Sequence, residues 1–529
     1  MVKNKFEKII NFCLKYGLRI VSIIAAIIGI LSIFITAYFN STYYHPGEKT
    51  LFKFSFGIIE IILTVIAIFL IAILSKKILK KIPSKFLLIL LFIGSIFVYI
   101  TWVNALKLTP ENDQKLIHEM ALAFLDGNIN WFLGIEQYLF FYPYQFGLTL
   151  FVSFIYKIFG SDFMTVLIIN CFCSIINMFI IFYISKMLFK NENIQKILVI
   201  LLAVFSLYWM FFNVHFYGNI IGLTFALAAV LLVLFYLENN KLLNLFVSGI
   251  LIAISILLKT NYNIFLCGII LILLLDIIKK WNLKTLLIIP IFLIGYFSIN
   301  FGYEKILDYY DIELPDGVPM IAFVYMGMDE PTNLSPGWYN SVTLVLYRNN
   351  YYDTERTTNA TIEAISNRLN YFWQNPKEFA NYFGQKIGST WLNPTFQTVW
   401  CSLPGLRYAW NAEYAEYISY HKKALDMVDG DLYDLEENLF NIYQIIVFIF
   451  ASVGIFKLSK DFDLKKAIFP IIFIGGFLFH VIWETKAIYV IQYYFLLLPF
   501  AAFGLNYFID KSSDFVKKIK KKKLLKEKN

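Results

Sequence analysis

Charge is scarce in this 529-residue chain, because Asp, Glu, Lys and Arg together make up only 16% of it. Hydrophobic residues make up 59%, and the mean hydropathy is +0.64. A soluble globular protein cannot bury so large an apolar fraction, so that class is excluded. The composition predicts a polytopic membrane protein, and its long apolar runs predict that the fold is all-α.

Cysteine is also scarce, with five residues in the whole chain. They show no paired framework, and only Cys401 falls in a long polar segment. The sequence therefore supports neither a disulfide scaffold nor a cysteine metal site, and we assign no metal ligands.

A nucleic-acid-binding module is missing as well. The net charge of +9 owes much to the C-terminal run KKIKKKKLLKEK. No aromatic or base-reading module accompanies this run, so we expect it to meet an anionic cytoplasmic membrane surface. We therefore expect the lipid bilayer, and no nucleic acid, as a partner.

About twelve apolar runs are long enough to cross the hydrocarbon core of a bilayer, which is roughly 30 Å thick. The basic connections and both termini then fall on one side, as the positive-inside rule requires. The run 146–160 spans only about fifteen residues, which is short for a crossing, so we expect an interfacial helix there. The predicted spans are 19–39, 54–74, 86–104, 162–185, 197–215, 220–237, 243–259, 262–278, 285–303, 441–458, 467–484 and 488–509.

These spans divide the chain into five predicted parts, with two long segments on the outer side. The loop 105–161 is expected to carry two interfacial helices, and 304–440, rich in Tyr, Trp, Asn and Pro, is expected to form a small extracytoplasmic domain. The parts are additional N-terminal helices (1–85), a transmembrane core (86–303), the extracytoplasmic domain (304–440), C-terminal transmembrane helices (441–510) and a basic cytoplasmic tail (511–529).

A charged stretch, LTPENDQKLIHEMALAFLDGN at 108–128, lies between two apolar regions. Thr109 is a suitable helix cap, Pro110 suits the first helical position, and Gly127 suits the end of the helix. Apolar residues recur at helical spacing, so one face is apolar and the other is charged. The pattern predicts a helix that lies along the membrane boundary.

Polar residues are expected to meet on the outer face, at the ends of several spans. FNVHFYGN supplies His215 and Asn219, and ILLKTNYN supplies Lys259 against the positive-inside trend. HVIWETKAIYV places Glu484 and Lys486 between the last two spans. A lipid-linked phosphate needs such cations near the headgroups, above an apolar groove for its chain.

The order of these motifs resembles the GT-C membrane glycosyltransferases of family 39, such as the protein O-mannosyltransferases and the bacterial lipid A aminoarabinose transferases. IHEMALAFLDGN and YLFFYPYQFGLTLFVSFIYKIFG resemble the first outer loop of that family. SILLKTNYN resembles its Lys-containing segment, and IWETKAIYVIQYYFLLLP resembles its last-span motif. The resemblance covers 86–303 and 441–509. The sequence departs from the family pattern at two places. Asn112 and Gln114 flank Asp113 where many relatives have a second acidic residue, and the next small outer loop has no acidic residue.

The resemblance implies a GT-C-like fold and transfer of a sugar from a polyprenyl-phosphate donor to an acceptor on the outer face. The acceptor class stays open between envelope polysaccharide, teichoic acid, lipid and protein. By this resemblance, Asp113 occupies the position of the catalytic acidic residue, and its carboxylate is expected to act as the base. Lys259 and Lys486 are expected to bind the donor phosphate. No cofactor is assigned, although the departures leave a divalent cation possible. The expected substrate-binding residues are His118, Tyr142, Tyr144, Gln145, His215, Asn219 and Glu484.

Each main candidate also has an ordinary structural explanation. Asp113 in a first helical turn complements the helix dipole, which contributes about 0.3–1 kcal/mol. Lys259 can extend to the membrane interface, and Glu484 with Lys486 can form a simple ion pair.

Two other functions compete with sugar transfer. A transporter or lipid flippase would show broken helices in paired positions and charges at mid-membrane depth. A surface-polysaccharide polymerase or ligase would use the late loop, where Arg348, Arg356 and Arg368 are available for phosphate. Richness in Ile, Lys and Asn suggests an AT-rich bacterial source, and hence a plasma membrane location with the active site on the extracytoplasmic face.

Overall fold

The computed structural model describes residues 2–39, 49–106, 109–280, 286–331, 334–402, 424, 426–428, 430–460 and 463–526. This part of the chain is helical almost throughout, with one two-stranded sheet. The predicted all-α polytopic membrane fold is confirmed.

Every predicted span corresponds to a helix. Ten helical segments in the described ranges are long and apolar enough to cross a membrane, and one further apolar helix, Leu242–Leu258, is shorter at 17 residues. The predicted span 285–303 corresponds to the 22-residue helix Ile288–Tyr309. The span helices are α1 (Val2–Phe34), α2 (Ile58–Ile73), α3 (Ser84–Leu106), α7 (Phe163–Leu188), α8 (Glu192–Phe212), α9 (Asn219–Asn239), α10 (Leu242–Leu258), α11 (Asn263–Lys280), α12 (Ile288–Tyr309), α17 (Asp431–Leu458), α18 (Leu464–Ile482), and α19 (Ile491–Phe495) with α20 (Leu498–Lys526).

The end of the first predicted span was wrong. Helix α1 stops at Phe34, and β1 (Ile35–Phe39) pairs antiparallel with β2 (Thr50–Phe54). The apolar run continues through ITAYF, but these β-branched and aromatic residues favour a strand as soon as a partner strand is available. Hydropathy alone cannot separate the two conformations, because both use the same apolar residues.

The loop 105–161 contains the two expected helices, α4 (Asp113–Leu125) and α6 (Phe146–Phe159), with the short helix α5 (Tyr138–Phe141) between them. Helix α6 has 14 residues, or about 21 Å at 1.5 Å per residue, which is short for a bilayer crossing. The start of α4 differs from the prediction: the helix begins at Asp113, not at Pro110. Asn112 has φ 49°, which a helical residue cannot adopt, so the chain turns there and only then enters the helix.

Between α12 and α17, the long polar segment contributes four α-helices where it is described: α13 (Ile321–Met326), α14 (Val342–Asn349), α15 (Thr354–Gln374) and α16 (Pro376–Trp391). Helix α13 packs on α14 and α15, and α15 packs on α16. The hairpin is attached to this segment, because Ala37 donates its N–H to the Leu392 carbonyl and Thr50 donates to Ser335 Oγ. The two-stranded sheet of the N-terminal addition therefore packs on the polar segment.

Helix pairing brings one set of span ends together. Helix α10 packs between α9 and α12, α1 and α20 both pack on α17, and α11 packs on α18. Because successive spans alternate in direction, the ends of α3, α8, α10 and α18 lie at the same end of the bundle. The polar segment follows α12 and precedes α17, so it joins the bundle at that end as well.

Candidate functional site

A cavity of about 190 Å³ lies where these span ends meet the polar segment. Five chain segments build its wall: the loop 105–161, the loop between α8 and α9, the turn after α10, the polar segment, and the link between α18 and α19. Most of its lining side chains are polar or aromatic. The lining residues are Asp113, Tyr138, Tyr142, Tyr144, Gln145, Tyr217, Leu258, Lys259, Thr260, Asn261, Met320, Phe323, Tyr339, Trp483, Glu484, Lys486 and Tyr489.

Asp113 is the first residue of α4, and the turn at Asn112 places it at the mouth of this cavity. Its side chain is solvent-exposed, in contrast to its neighbour Gln114, which is buried and accepts a hydrogen bond from the Phe216 N–H at 2.8 Å. Gln114 thus fixes the first turn of α4 to the loop between α8 and α9. The Asp113 carboxylate is close enough to Lys259 to oppose the effect of burial on the lysine's pKa.

Lys259 enters the cavity because α10 ends just before it. Its backbone is extended (φ −158°, ψ 115°), and a short 3₁₀ turn, Thr260–Tyr262, leads into α11. The Nζ atom lies 3.8 Å from the centroid of the Tyr217 ring and 5.6 Å from that of Tyr489. Burial lowers the pKa of Lys259 to about 8, and the charges of Asp113 and Glu484 act in the opposite direction.

Glu484 and Lys486 lie in the extended link between α18 and α19, and the polar segment holds their backbone. The Glu484 N–H donates to the Phe323 carbonyl at 3.1 Å, and the Thr485 N–H donates to the Gly337 carbonyl at 2.9 Å. Burial raises the pKa of Glu484 to about 7, although Lys486 and Lys259 both lower it. The Lys486 Nζ lies 5.7 Å from the Trp338 ring centroid. Two cations and two carboxylates therefore share one small cavity.

Tyrosine hydroxyls along the wall form two hydrogen-bonded groups. The hydroxyls of Tyr138 and Tyr217 are 2.7 Å apart, and Gln145 Nε2 donates to the Tyr217 hydroxyl at 2.6 Å. The hydroxyls of Tyr142 and Tyr339 are 3.1 Å apart. Burial raises the pKa of each of Tyr138, Tyr142 and Tyr217 above its usual range, so these groups stay protonated and can donate hydrogen bonds.

Seven of the ten predicted site residues line the cavity. The predicted base and both predicted phosphate ligands are among them. The seven are Asp113, Tyr142, Tyr144, Gln145, Lys259, Glu484 and Lys486.

The other three predicted site residues lie outside the lining. His118 is on another face of α4, where its Nδ1 is 2.6 Å from the Tyr156 hydroxyl and its ring packs edge-on against Phe163. His215 stacks on Phe212, close enough to Lys259 and Lys486 that their charges add to the lowering of its pKa by burial, to about 3. Asn219 begins α9 and is buried, with its carbonyl accepting a hydrogen bond from the Tyr262 hydroxyl.

Several cavity residues were not predicted as site residues. Tyr138 is in the same YLFFYPY run as two predicted tyrosines, so the repeated tyrosines were a usable signal. Tyr217 precedes Gly218, whose φ of +76° turns the chain into α9 and presents the tyrosine to the cavity. Met320, Phe323 and Tyr339 come from the polar segment, and nothing in their local sequence indicates that they approach the span ends.

The cavity contains two carboxylates, Asp113 and Glu484, which are of the type that binds divalent cations. Within the ranges that the structure describes, no three His, Cys, Asp or Glu side chains converge as metal ligands. Asp113 and Glu484 face two lysines instead, so we derive no step through a divalent cation.

No curated protein and no solved structure matches this chain. Residues 146–299, less than a third of the chain, match the model of the dolichyl-phosphate-mannose-protein mannosyltransferase family. This segment runs from the start of α6 into α12 and includes Tyr217 and Lys259 of the cavity. The predicted resemblance is confirmed over this segment, and the match supports a membrane glycosyltransferase of the GT-C type.

Proposed function

We propose that the protein transfers a sugar from a polyprenyl-phosphate donor to a cell-envelope acceptor on the extracytoplasmic face of the plasma membrane. One observation carries the proposal: a single cavity contains Asp113, Lys259, Glu484 and Lys486, which come from three distant parts of the chain. The family match supplies the reaction class, and the cavity supplies groups that suit its two chemical requirements.

The first requirement is stabilisation of the leaving phosphate. Lys259 and Lys486 offer two cations in a partly enclosed space, where charge attraction is stronger than in bulk water. The Lys259 ammonium lies near two aromatic rings, which can orient it without neutralising it. A donor phosphate is therefore expected to bind between the two lysines.

The second requirement is a base for the acceptor hydroxyl. Asp113 is exposed at the cavity mouth, so an acceptor can reach it from solvent. In the proposed step the acceptor oxygen bonds to the anomeric carbon, and the bond from that carbon to the phosphate oxygen breaks. The phosphate leaves with the bonding electrons, and the acceptor proton moves to the Asp113 carboxylate.

The tyrosine side chains of the wall are suited to binding the sugar itself. Their rings offer flat apolar surfaces, and their protonated hydroxyls offer hydrogen bonds. Gln145 adds an amide that is already fixed by Tyr217. The wall thus provides both kinds of contact that a pyranose or furanose ring uses.

The extracytoplasmic placement rests on charge. The cavity lies at the span ends opposite the basic connections KMLFKNENIQK and KLSKDFDLKK. The positive-inside rule assigns those basic connections to the cytoplasm.

Of the competing functions, a polymerase or ligase using the late arginines has less support. Arg348 binds Glu136, Arg356 lies 3.6 Å from Asp353, and Arg368 lies 3.2 Å from Glu330. None of these arginines lines the cavity. They are engaged with carboxylates, whereas Lys259 and Lys486 line the partly enclosed cavity.

The test is transfer by the purified protein. A panel of polyprenyl-phosphate sugars would be mixed with envelope glycan, lipid or peptide acceptors, with mass spectrometry of both the released polyprenyl phosphate and the product. We expect release of polyprenyl phosphate with one donor, matched by a sugar substituent that is lost from cells lacking the protein. Movement of the intact donor across vesicles without release of polyprenyl phosphate would establish the flippase alternative instead.

A further inference from the structure

Helix α16 contains a lysine that the proposed reaction does not use. Lys386 is 0% exposed, although a buried ammonium is costly unless each of its hydrogens is bonded. Its Nζ donates to three backbone carbonyls: those of Gly327, of Val481 at 2.9 Å and of Trp483 at 2.8 Å. Three donors thus meet three acceptors, which completes the hydrogen bonding of the ammonium.

These carbonyls belong to two separate walls of the cavity. Gly327 follows α13, which contributes Phe323 to the lining and accepts the Glu484 N–H. Val481 and Trp483 are at the end of α18, directly before Glu484. One buried lysine therefore ties the polar segment to the link that contains Glu484 and Lys486.

The surrounding backbone is shaped for this contact. A Cβ atom on Gly337 would lie 2.6 Å from Lys386 Cε, and Gly337 also has φ +75°. A Cβ atom on Gly327 would lie 2.3 Å from the Ile482 carbonyl oxygen. Only glycine fits at either place, so three backbone segments can close around the ammonium.

Two other residues on the same face of α16 also contact the segments that Lys386 joins. Tyr382, Lys386 and Thr390 are four residues apart, so they align along one side of the helix. The Tyr382 hydroxyl is 2.9 Å from the Gly327 and Asp329 carbonyls, and Thr390 Oγ1 is 3.4 Å from Thr485 Oγ1. Of the three, Lys386 alone bonds to both walls.

We propose that Lys386 is a positioning residue, which holds the backbone of 481–486 so that Glu484 and Lys486 face the cavity. The expected effect on turnover rests on the proposed function. The hold on the backbone is argued from the hydrogen bonds of Lys386 alone. Lys386 itself is expected to touch neither donor nor acceptor.

The test compares two substitutions on α16 that remove hydrogen bonds from different walls. Lys386→Met keeps the length of the side chain and removes all three bonds, whereas Tyr382→Phe loosens only the Gly327 and Asp329 side. Turnover per folded molecule should fall by about 10²-fold in Lys386→Met, because a displacement of about 1 Å can cost that much. It should stay near wild type in Tyr382→Phe at a comparable melting temperature and in Lys377→Met, which removes an exposed lysine of the same helix.

An equal loss in Tyr382→Phe would reduce Lys386 to a residue of general stability and overturn the proposal, as would unchanged turnover in Lys386→Met. If Lys386→Met does not fold, Lys386→Gln keeps two N–H donors and should show an intermediate loss. Wild-type turnover in that variant would then overturn the proposal.

A second readout does not depend on sugar transfer. In a background without the native cysteines, thiol labelling of Lys486→Cys should become faster when Lys386→Met is added, because the link is released. If wild-type protein transfers no sugar, the proposed function fails, and this labelling rate alone decides the positioning role. Unchanged labelling would contradict it.

Discussion

The Lys259 Nζ lies 3.8 Å from the centroid of the Tyr217 ring. Tyr217 comes from the turn between α8 and α9, and Lys259 from the end of α10, so the contact joins two span ends. The Lys259 ammonium thus lies beside aromatic rings and near two carboxylates, which differs from the environment of a lysine among lipid headgroups. This arrangement favours a ligand-binding role for Lys259 over a lysine that only extends to the headgroups.

Replacement of Lys259 is expected to weaken donor binding. Lys259→Ala removes the charge, Lys259→Gln keeps a polar group, and Lys259→Arg keeps the charge, so Arg should retain more donor affinity than Gln. Titration calorimetry with the polyprenyl-phosphate donor would measure this. Lys157→Gln is the matched control, because it removes an exposed lysine that does not line the cavity. Equal affinity of the Gln and wild-type proteins would exclude a phosphate contact.

The pH dependence of kcat/KM should show an alkaline limb near pH 8. Lys259 has its pKa lowered to about 8, so it is charged below that pH and loses its charge above it. The parameter kcat/KM reports groups of the free enzyme, before a phosphate restores the lysine's charge. Lys259→Arg should move the limb to higher pH because arginine stays protonated. A limb at the same pH in that variant would assign the titration to another group.

Cysteine labelling of intact cells tests the topology. Cysteines at Asn128 and Glu355, both exposed and at the cavity end of the bundle, should react with an impermeant thiol reagent. A cysteine at Lys190, which is exposed between α7 and α8, should react only after permeabilisation. Labelling at 190 in intact cells would place the cavity on the cytoplasmic side.

The attachment of the N-terminal hairpin should contribute to stability. Asn393 is buried, donates to the Ala37 carbonyl at 3.0 Å and accepts from Thr395 Oγ1 and the Gln397 N–H, each at 3.0 Å. Asn393→Leu leaves these groups unsatisfied and should lower the free energy of unfolding by about 1–3 kcal/mol. Thermal denaturation in detergent would measure the change. Asn381→Ala, at an exposed position of α16, should change it by less than about 0.5 kcal/mol.

Part of the site was predictable from sequence because each span end is marked by a change in polarity. Lys259 interrupts an apolar pattern, and Glu484 with Lys486 interrupts another, so their positions at span ends followed from helix length. Alternation of the spans then predicted that they share one end of the bundle. The cavity contains all three, together with Asp113.

The rest depended on packing between distant segments, which local patterns do not encode. Lys386 lies in NYFGQKIGSTW, a sequence in which a lysine is expected on the solvent-exposed face of a helix. In the structure, three backbone segments enclose it instead. His118 was predicted to bind the substrate, and it lies on the same helix as Asp113. The helix turns through about 100° per residue, so five residues later it faces Tyr156 instead.

The most direct test of the central claim is the turnover of Asp113→Asn in the purified system. Asparagine keeps the size of the side chain but removes the proton acceptor, so transfer from the polyprenyl-phosphate donor should fall by about 10²-fold or more. Melting temperature and donor affinity should stay near wild type, and Glu119→Gln, which removes a charge at a partly exposed position on the same helix, should retain activity. Near-normal turnover of Asp113→Asn with the same donor would contradict the account, because the cavity would then transfer sugar without its proposed base.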